Sequence, residues 1–208
     1  MKKLNISFIL DETGSMTTIK QQTISGFNEY VDSLEKDNAT KNALFTLTKF
    51  NSNRVIVVHD SVALKDVVRL NNDNYTPDML TPLYDAIGKT LSSIEKIVKG
   101  KNKQNVIVVI QTDGQENASV EYTQRNIFDK IAEKKKLGWA FVFLGANQDA
   151  WATSQMLGVS AGNTMSYSGE KTRGAFKGVT TSTLSYARSN GSQTENLISS
   201  DGSVKIVN

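Results

Sequence analysis

Five oxygen-bearing side chains stand at spacings that suit a hard divalent cation. Asp11, Thr13 and Ser15 alternate within Asp11-Glu12-Thr13-Gly14-Ser15, directly after an apolar run. Thr81 opens the segment Thr81-Pro82-Leu83-Tyr84-Asp85-Ala86-Ile87, and Asp113 closes a second apolar run that begins at Val106. Alternate side chains of an extended segment point the same way, so the first three oxygens can converge. Small cations such as Mg²⁺ take oxygen ligands in octahedral geometry and usually retain water. Two carboxylates and three hydroxyls form such an oxygen-only set. Taken singly, Asp-x-Thr-x-Ser is also a common turn or helix N-cap, and Asp113-Gly114 a turn. Nothing else in the chain looks like a reaction centre.

The elements that must position these residues read as an alternation of strands and helices. Leu4 to Leu10 is a predicted strand, and Ile19 to Leu34 has apolar residues at helical spacing (Ile19, Phe27, Tyr30, Val31, Leu34). Leu44 to Phe50 and Arg54 to Val58 flank the turn Asn51-Ser52-Asn53 and read as a β-hairpin. Pro82 suits the first turn of a helix, where its missing N–H is not needed; that helix is predicted to run to Lys99 and stop at Gly100. Asn105 to Ile110 and Trp139 to Leu144 are almost wholly apolar, as buried strands of a parallel sheet are. Between them Val120 to Leu137 is amphipathic and ends at Gly138. Gln148 to Leu157 and Thr172 to Ala187 read as helices, with Thr164 to Tyr167 as the last strand. The pattern predicts a mainly parallel α/β sheet with one antiparallel edge hairpin strand and helices on both faces. Asp11 and Asp113 then end adjacent strands at a switch point, where open α/β sheets form their sites. The loops Gly145-Ala146-Asn147 and Ser168-Gly169-Glu170 are expected on the same edge.

The ordered set Asp11, Thr13, Ser15, Thr81, Asp113 resembles the metal-ion-dependent adhesion site of von Willebrand factor A domains. That family's pattern is Asp-x-Ser/Thr-x-Ser, a distant Thr and a distant Asp. Thr-Pro-Leu-Tyr-Asp-Ala-Ile and Thr-Asp-Gly are also wordings common in it. The resemblance covers roughly residues 3–187 in the order of elements and is most similar to small stand-alone bacterial or phage members. It implies a Rossmann-like fold and Mg²⁺ or Mn²⁺ as the cofactor. Thr13 and Ser15 would touch the metal directly, Thr81 directly or through water, and Asp11 and Asp113 often through water. One coordination position would stay open for an Asp or Glu of a protein partner. Two positions depart from the pattern: Thr13 stands where serine is commoner, and Leu80 precedes Thr81 where glycine is frequent.

Other chemistries fail on specifics. Glu12 interrupts the Asp-Thr-Gly-Ser of an aspartic protease, and no second copy exists. There is no phosphate loop of the pattern Gly-x-x-x-x-Gly-Lys-Ser/Thr and no Gly-x-Gly-x-x-Gly after a strand. The single histidine, His59, lies at a predicted strand end far from the motifs, which argues against Ser-His-Asp catalysis. Glu12 is expected to face solvent or a partner, and Asp85 to sit in a helix's first turn, where an acid is favourable.

A chain of 208 residues suits one domain. The expected division is residues 1–187 as the domain and 188–208 as a polar mobile tail, within which Val204 to Val207 could dock as a short strand. The absence of cysteine excludes disulfides and thiolate metal sites. A net charge of +3 is too small to argue for nucleic acid, and the lysines at 96, 99, 101, 103 and 134–136 read as helix ends or solvated faces. Leu4 to Leu10 is too short to span a bilayer and lacks a cleavage site. The expectation is a soluble, cytoplasmic, non-enzymatic module that binds a protein through a divalent cation, without nucleic acid or membrane. The alternatives are a metal-dependent phosphoester hydrolase and a structural domain whose metal braces its loops.

Overall fold

The computed structural model describes residues 3–98, 104–146, 150–168 and 172–198. Six strands, β1 (Leu4–Asp11), β2 (Leu44–Asn51), β3 (Arg54–Ala63), β4 (Asn105–Thr112), β5 (Ala140–Ala146) and β6 (Thr164–Tyr167), form one sheet in the order β3-β2-β1-β4-β5-β6. Among the described residues the β2–β3 pair alone is antiparallel. Every residue of β1 and β4 is buried, as is usual for mostly apolar central strands covered on both sides.

Among the described residues five α-helices cover the sheet: α1 (Lys20–Lys36), α2 (Leu83–Val98), α3 (Gln124–Lys136), α4 (Ala150–Met156) and α5 (Thr172–Arg188). Strand alternation divides the core in two. Ile6, Phe8 and Leu10 of β1 pack with α1 and α5, whereas Ile9 packs on the opposite side with α2, α3 and α4. The α1–α5 contact is close because α1 offers Gly26 to α5: a Cβ there would lie 2.2 Å from the Phe176 ring. Phe8 meets Phe27 edge-on at 5.4 Å and stacks on Phe176 at 6.2 Å, tying β1 to both helices. On the other face, α2 buries Leu83, Ala86, Ile87, Leu91 and Ile94, the stripe expected of an amphipathic helix.

Several boundaries differ from the sequence reading. The hairpin strand β3 runs on to Ala63 rather than ending near Val58, because β2 keeps pairing with it through register shifts around His59. The helix expected from Val120 begins at Gln124, where Thr123 caps it in a reciprocal box with Asn126. Its end agrees with the glycine signal: Gly138 adopts a left-handed φ of +86°. The helix expected from Gln148 is described from Ala150, and the expected stop at Lys99-Gly100 lies outside the described residues.

The segment expected as a mobile tail is packed as far as Ile198. Leu197 is buried and donates its N–H to Asn163 Oδ1 at 3.0 Å, and Ile198 donates to Gly162 O at 2.9 Å. Its polar composition hides this: Leu197 and Ile198 pack on the core while the Asn163 side-chain amide bonds the backbone of Thr194 and Leu197. The expected strand Val204 to Val207 lies outside the described residues. Among the described residues no helix is long and apolar enough to cross a membrane.

Candidate functional site

β1 and β4 are neighbours, with Leu10 opposite Gln111. From its carboxyl end β1 leads to α1 on one face, and β4 leads to α3 on the other. The crevice that opens where connections diverge is the usual place for a site in an open α/β sheet. Asp11 ends β1, and Asp113 follows β4 directly.

All five residues singled out in the sequence meet there. Asp11 is fully buried; its Oδ1 accepts the Thr13 N–H at 2.7 Å and its Oδ2 accepts the Thr112 hydroxyl at 2.6 Å. Thr13 Oγ1 lies 3.3 Å from Ser15 Oγ, and Ser15 Oγ donates to Asp113 Oδ1 at 2.5 Å. Thr81 joins from the loop before α2. A Cβ placed on Gly114 would stand 2.9 Å from Thr81 Oγ1 and 3.3 Å from Ser15 Oγ, so the two hydroxyls close on the space that the missing side chain leaves. The departure at Leu80 does not keep Thr81 out: its N–H donates to Asn117 Oδ1 at 2.8 Å, and its carbonyl accepts the Asn117 N–H at 3.1 Å.

The electrostatics of this cluster are unbalanced. Burial pushes the Asp11 carboxyl up from 3.8 to about 6 against the bonds from Thr112 and Thr13, and the Asp113 charge adds to the rise. Burial also raises Asp113, against the Ser15 bond. Among the described residues no lysine, arginine or histidine forms an ion pair with either aspartate. Nor do the described residues contain a cluster of three His, Asp or Glu side chains suited to a metal. Two carboxylates, three hydroxyls and a cradle that a Cβ would fill suit, by their chemistry, a hard cation with weak protein ligation.

Three further residues shape this cluster in ways that their local sequence does not show. Glu12 does not face solvent: it is buried and paired with Lys49 Nζ at 2.7 Å and Arg54 Nη2 at 3.3 Å. Its neighbours in sequence gave no sign of cations 37 and 42 residues away. Thr112 holds the Asp11 carboxylate, and the available signal was a hydroxyl at the end of an apolar strand. Asp85 lies in the first turn of α2 as expected, yet its carboxylate accepts the N–H groups of Val120, Glu121 and Tyr122 at 3.0, 3.0 and 2.8 Å. It thereby fixes the loop after Asp113. His59 is structural, accepting the Val68 N–H at 3.2 Å. In the two further loops, Ala146 ends β5 and Ser168 follows β6, but Asn147, Gly169 and Glu170 lie outside the described residues.

The sequence matches no family model and no curated protein. Its fold matches solved structures. Proximal thread matrix protein 1 of the mussel byssus superposes with a TM-score of 0.63 at 15% identity, over 86% of this chain and 48% of that one. The manganese-loaded TRAP protein of Plasmodium vivax gives 0.60 at 14% identity, over 84% and 72%. The VWA domain of SpRpn10 gives 0.53 at 11% identity, over 84% of this chain and 94% of that domain. This chain thus spans about half the length of the byssus protein and nearly the whole of an isolated VWA domain. The chain has the von Willebrand factor A fold.

Proposed function

We propose that the chain is a divalent-cation-dependent protein-binding module, in which Asp11, Thr13, Ser15, Thr81 and Asp113 hold Mg²⁺ or Mn²⁺ and an Asp or Glu of a protein partner completes the coordination. The observation that carries this reading is the pair Asp11 and Asp113, crowded at the ends of β1 and β4 with three hydroxyls and no basic partner among the described residues. A bound cation supplies the missing positive charge. Because much of the ligation comes from neutral hydroxyls, the cation stays electron-poor and attracts a further carboxylate. The fold supports the reading, as does the manganese carried by the TRAP neighbour.

On this reading the chain is no enzyme, since the aspartates serve the cation and leave no base or nucleophile beside it. It works in the cytoplasm of a bacterium, or of one infected by a phage, without nucleic acid or membrane. The test is affinity capture from native lysate on wild type and Asp11→Ala, with Mg²⁺ and with EDTA. A protein retained only by wild type in Mg²⁺ supports the reading. Capture indifferent to EDTA contradicts it, and phosphoester turnover in Mg²⁺ would favour the hydrolase instead.

A further inference from the structure

We infer that Glu12 is a positioning residue of the metal site: its buried carboxylate clamps the strap Asn74–Leu80 against the Asp11–Ser15 loop. The inference rests on the cation-binding reading above. Glu12 and Lys49 keep side-chain exposures of only 1% and 7%. Glu12 Oε1 accepts from Lys49 Nζ at 2.7 Å and from the Thr76 N–H at 3.0 Å, while Oε2 faces Arg54. Lys49 Nζ donates onward to the Asn74 carbonyl. The ion pair therefore grips the strap at two points, one through each partner.

The strap in turn grips the loop. Tyr75 donates its hydroxyl to Asp11 O at 2.7 Å, the Asp78 N–H donates to Glu12 O at 3.0 Å, and the Gly14 N–H donates to Met79 O at 3.0 Å. These bonds hold the backbone on both sides of Thr13 and so fix the direction in which Thr13 and Ser15 present their hydroxyls. Met79 sits in the left-handed region at φ +71°, a conformation that persists in a non-glycine residue only when its surroundings over-determine it. Thr81 follows at the end of the strap. One carboxylate thus constrains three of the five proposed ligands without touching them.

The charge also has a purpose that packing lacks. A buried carboxylate is costly unless paired, and an apolar side chain would fill the same space. Lys49 and Arg54 neutralise Glu12, so it adds no net negative charge behind Asp11 while it collects the Thr76 N–H.

The test is Mn²⁺ titration followed by electron paramagnetic resonance, with amide hydrogen exchange of the strap, on wild type, Asp11→Ala, Glu12→Ala and the double variant E12M/K49M. The double variant replaces the buried pair with apolar side chains of similar length, a change that is often neutral or stabilising. Expected for both Glu12 variants is native circular dichroism, faster exchange at Thr76 and Asp78, and Mn²⁺ affinity at least tenfold weaker. Asp11→Ala is expected to lose Mn²⁺ while those amides stay protected. If Asp11→Ala loses Mn²⁺ but a folded Glu12 variant binds it like wild type, the clamp is overturned and the site reading stands. If Asp11→Ala binds like wild type, the site reading falls and the clamp with it. If neither Glu12 variant folds, Glu12 is a folding residue and the inference is overturned.

Discussion

Two adjacent carboxylates, Asp11 and Glu12, are equally buried yet meet opposite surroundings. Glu12 points to the back of the loop, where Lys49 and Arg54 supply two positive charges. Asp11 points to the front, where its neighbours are the Thr13 N–H, the Thr112 hydroxyl and the charge of Asp113. Burial costs both groups solvation, but among the described residues only the back wall is compensated by cations. On the proposed reading, the second carboxylate is balanced by a bound cation. Asp113 extends the contrast. It is only partly buried, and Ser15 is the hydroxyl that reaches it, so the front wall is closed at Asp11 and open at Asp113.

The contrast breaks most completely at Asp11 itself. Asp11→Ala is expected to abolish measurable Mg²⁺ or Mn²⁺ binding in calorimetry while circular dichroism shows an intact fold; unchanged affinity in the folded variant would remove the site. On the partner's side, replacing the acid that completes the coordination should cost on the order of 2–5 kcal/mol, like the loss of one member of a buried charge pair. A scan of the partner's acidic residues at saturating Mg²⁺ measures this, and no single loss greater than about tenfold would mean that the metal is no bridge.

The raised Asp11 carboxyl makes a smaller prediction with a definite sign. Its pKa is higher in the folded chain, about 6, than the ordinary 3.8. The metal-free fold therefore binds the proton better than the unfolded chain does. This contribution to stability is present below the unfolded value and is lost as pH rises through the folded one. In EDTA, wild type compared with Asp11→Asn should lose on the order of 2 kcal/mol between pH 4 and pH 7, and saturating Mg²⁺ should reverse the trend above pH 6. Denaturant titrations of both proteins measure the difference.

Gly114→Ala sharpens the picture at the open end. The new Cβ would meet Thr81 Oγ1 at 2.9 Å, so Mg²⁺ affinity should fall by about tenfold, or 1.4 kcal/mol, with little change in melting temperature. The smallest effect belongs to Thr13→Ser. It keeps the hydroxyl and removes one methyl, and Mg²⁺ affinity in calorimetry should stay within about twofold of wild type.

How far the sequence alone reached follows from where the information lies. β1 and β4 are legible because strands buried on both faces are mostly apolar, and Asp11 and Asp113 because they stand where those runs end. The hairpin was legible from its turn, but its length was set by pairing with β2 rather than by local preference. The amphipathic pattern from Val120 to Leu137 predicts a helix, yet Val120 is exposed in a loop whose amides Asp85 takes from 35 residues away. Glu12 is hidden from a sequence reading for the same reason: the cations that pair with it come from β2 and β3, and no local pattern announces a pairing across the sheet. Ligand types declare themselves in sequence, whereas the groups that hold them in place are fixed by tertiary contact.

The most direct measurement is an anomalous difference map from crystals grown in Mn²⁺. The expected result is a single strong peak at the carboxyl ends of β1 and β4, within bonding distance of Thr13 Oγ1 and Ser15 Oγ. A map with no peak there, at saturating Mn²⁺ and neutral pH, would contradict the assignment of Asp11, Thr13, Ser15, Thr81 and Asp113 as a metal site.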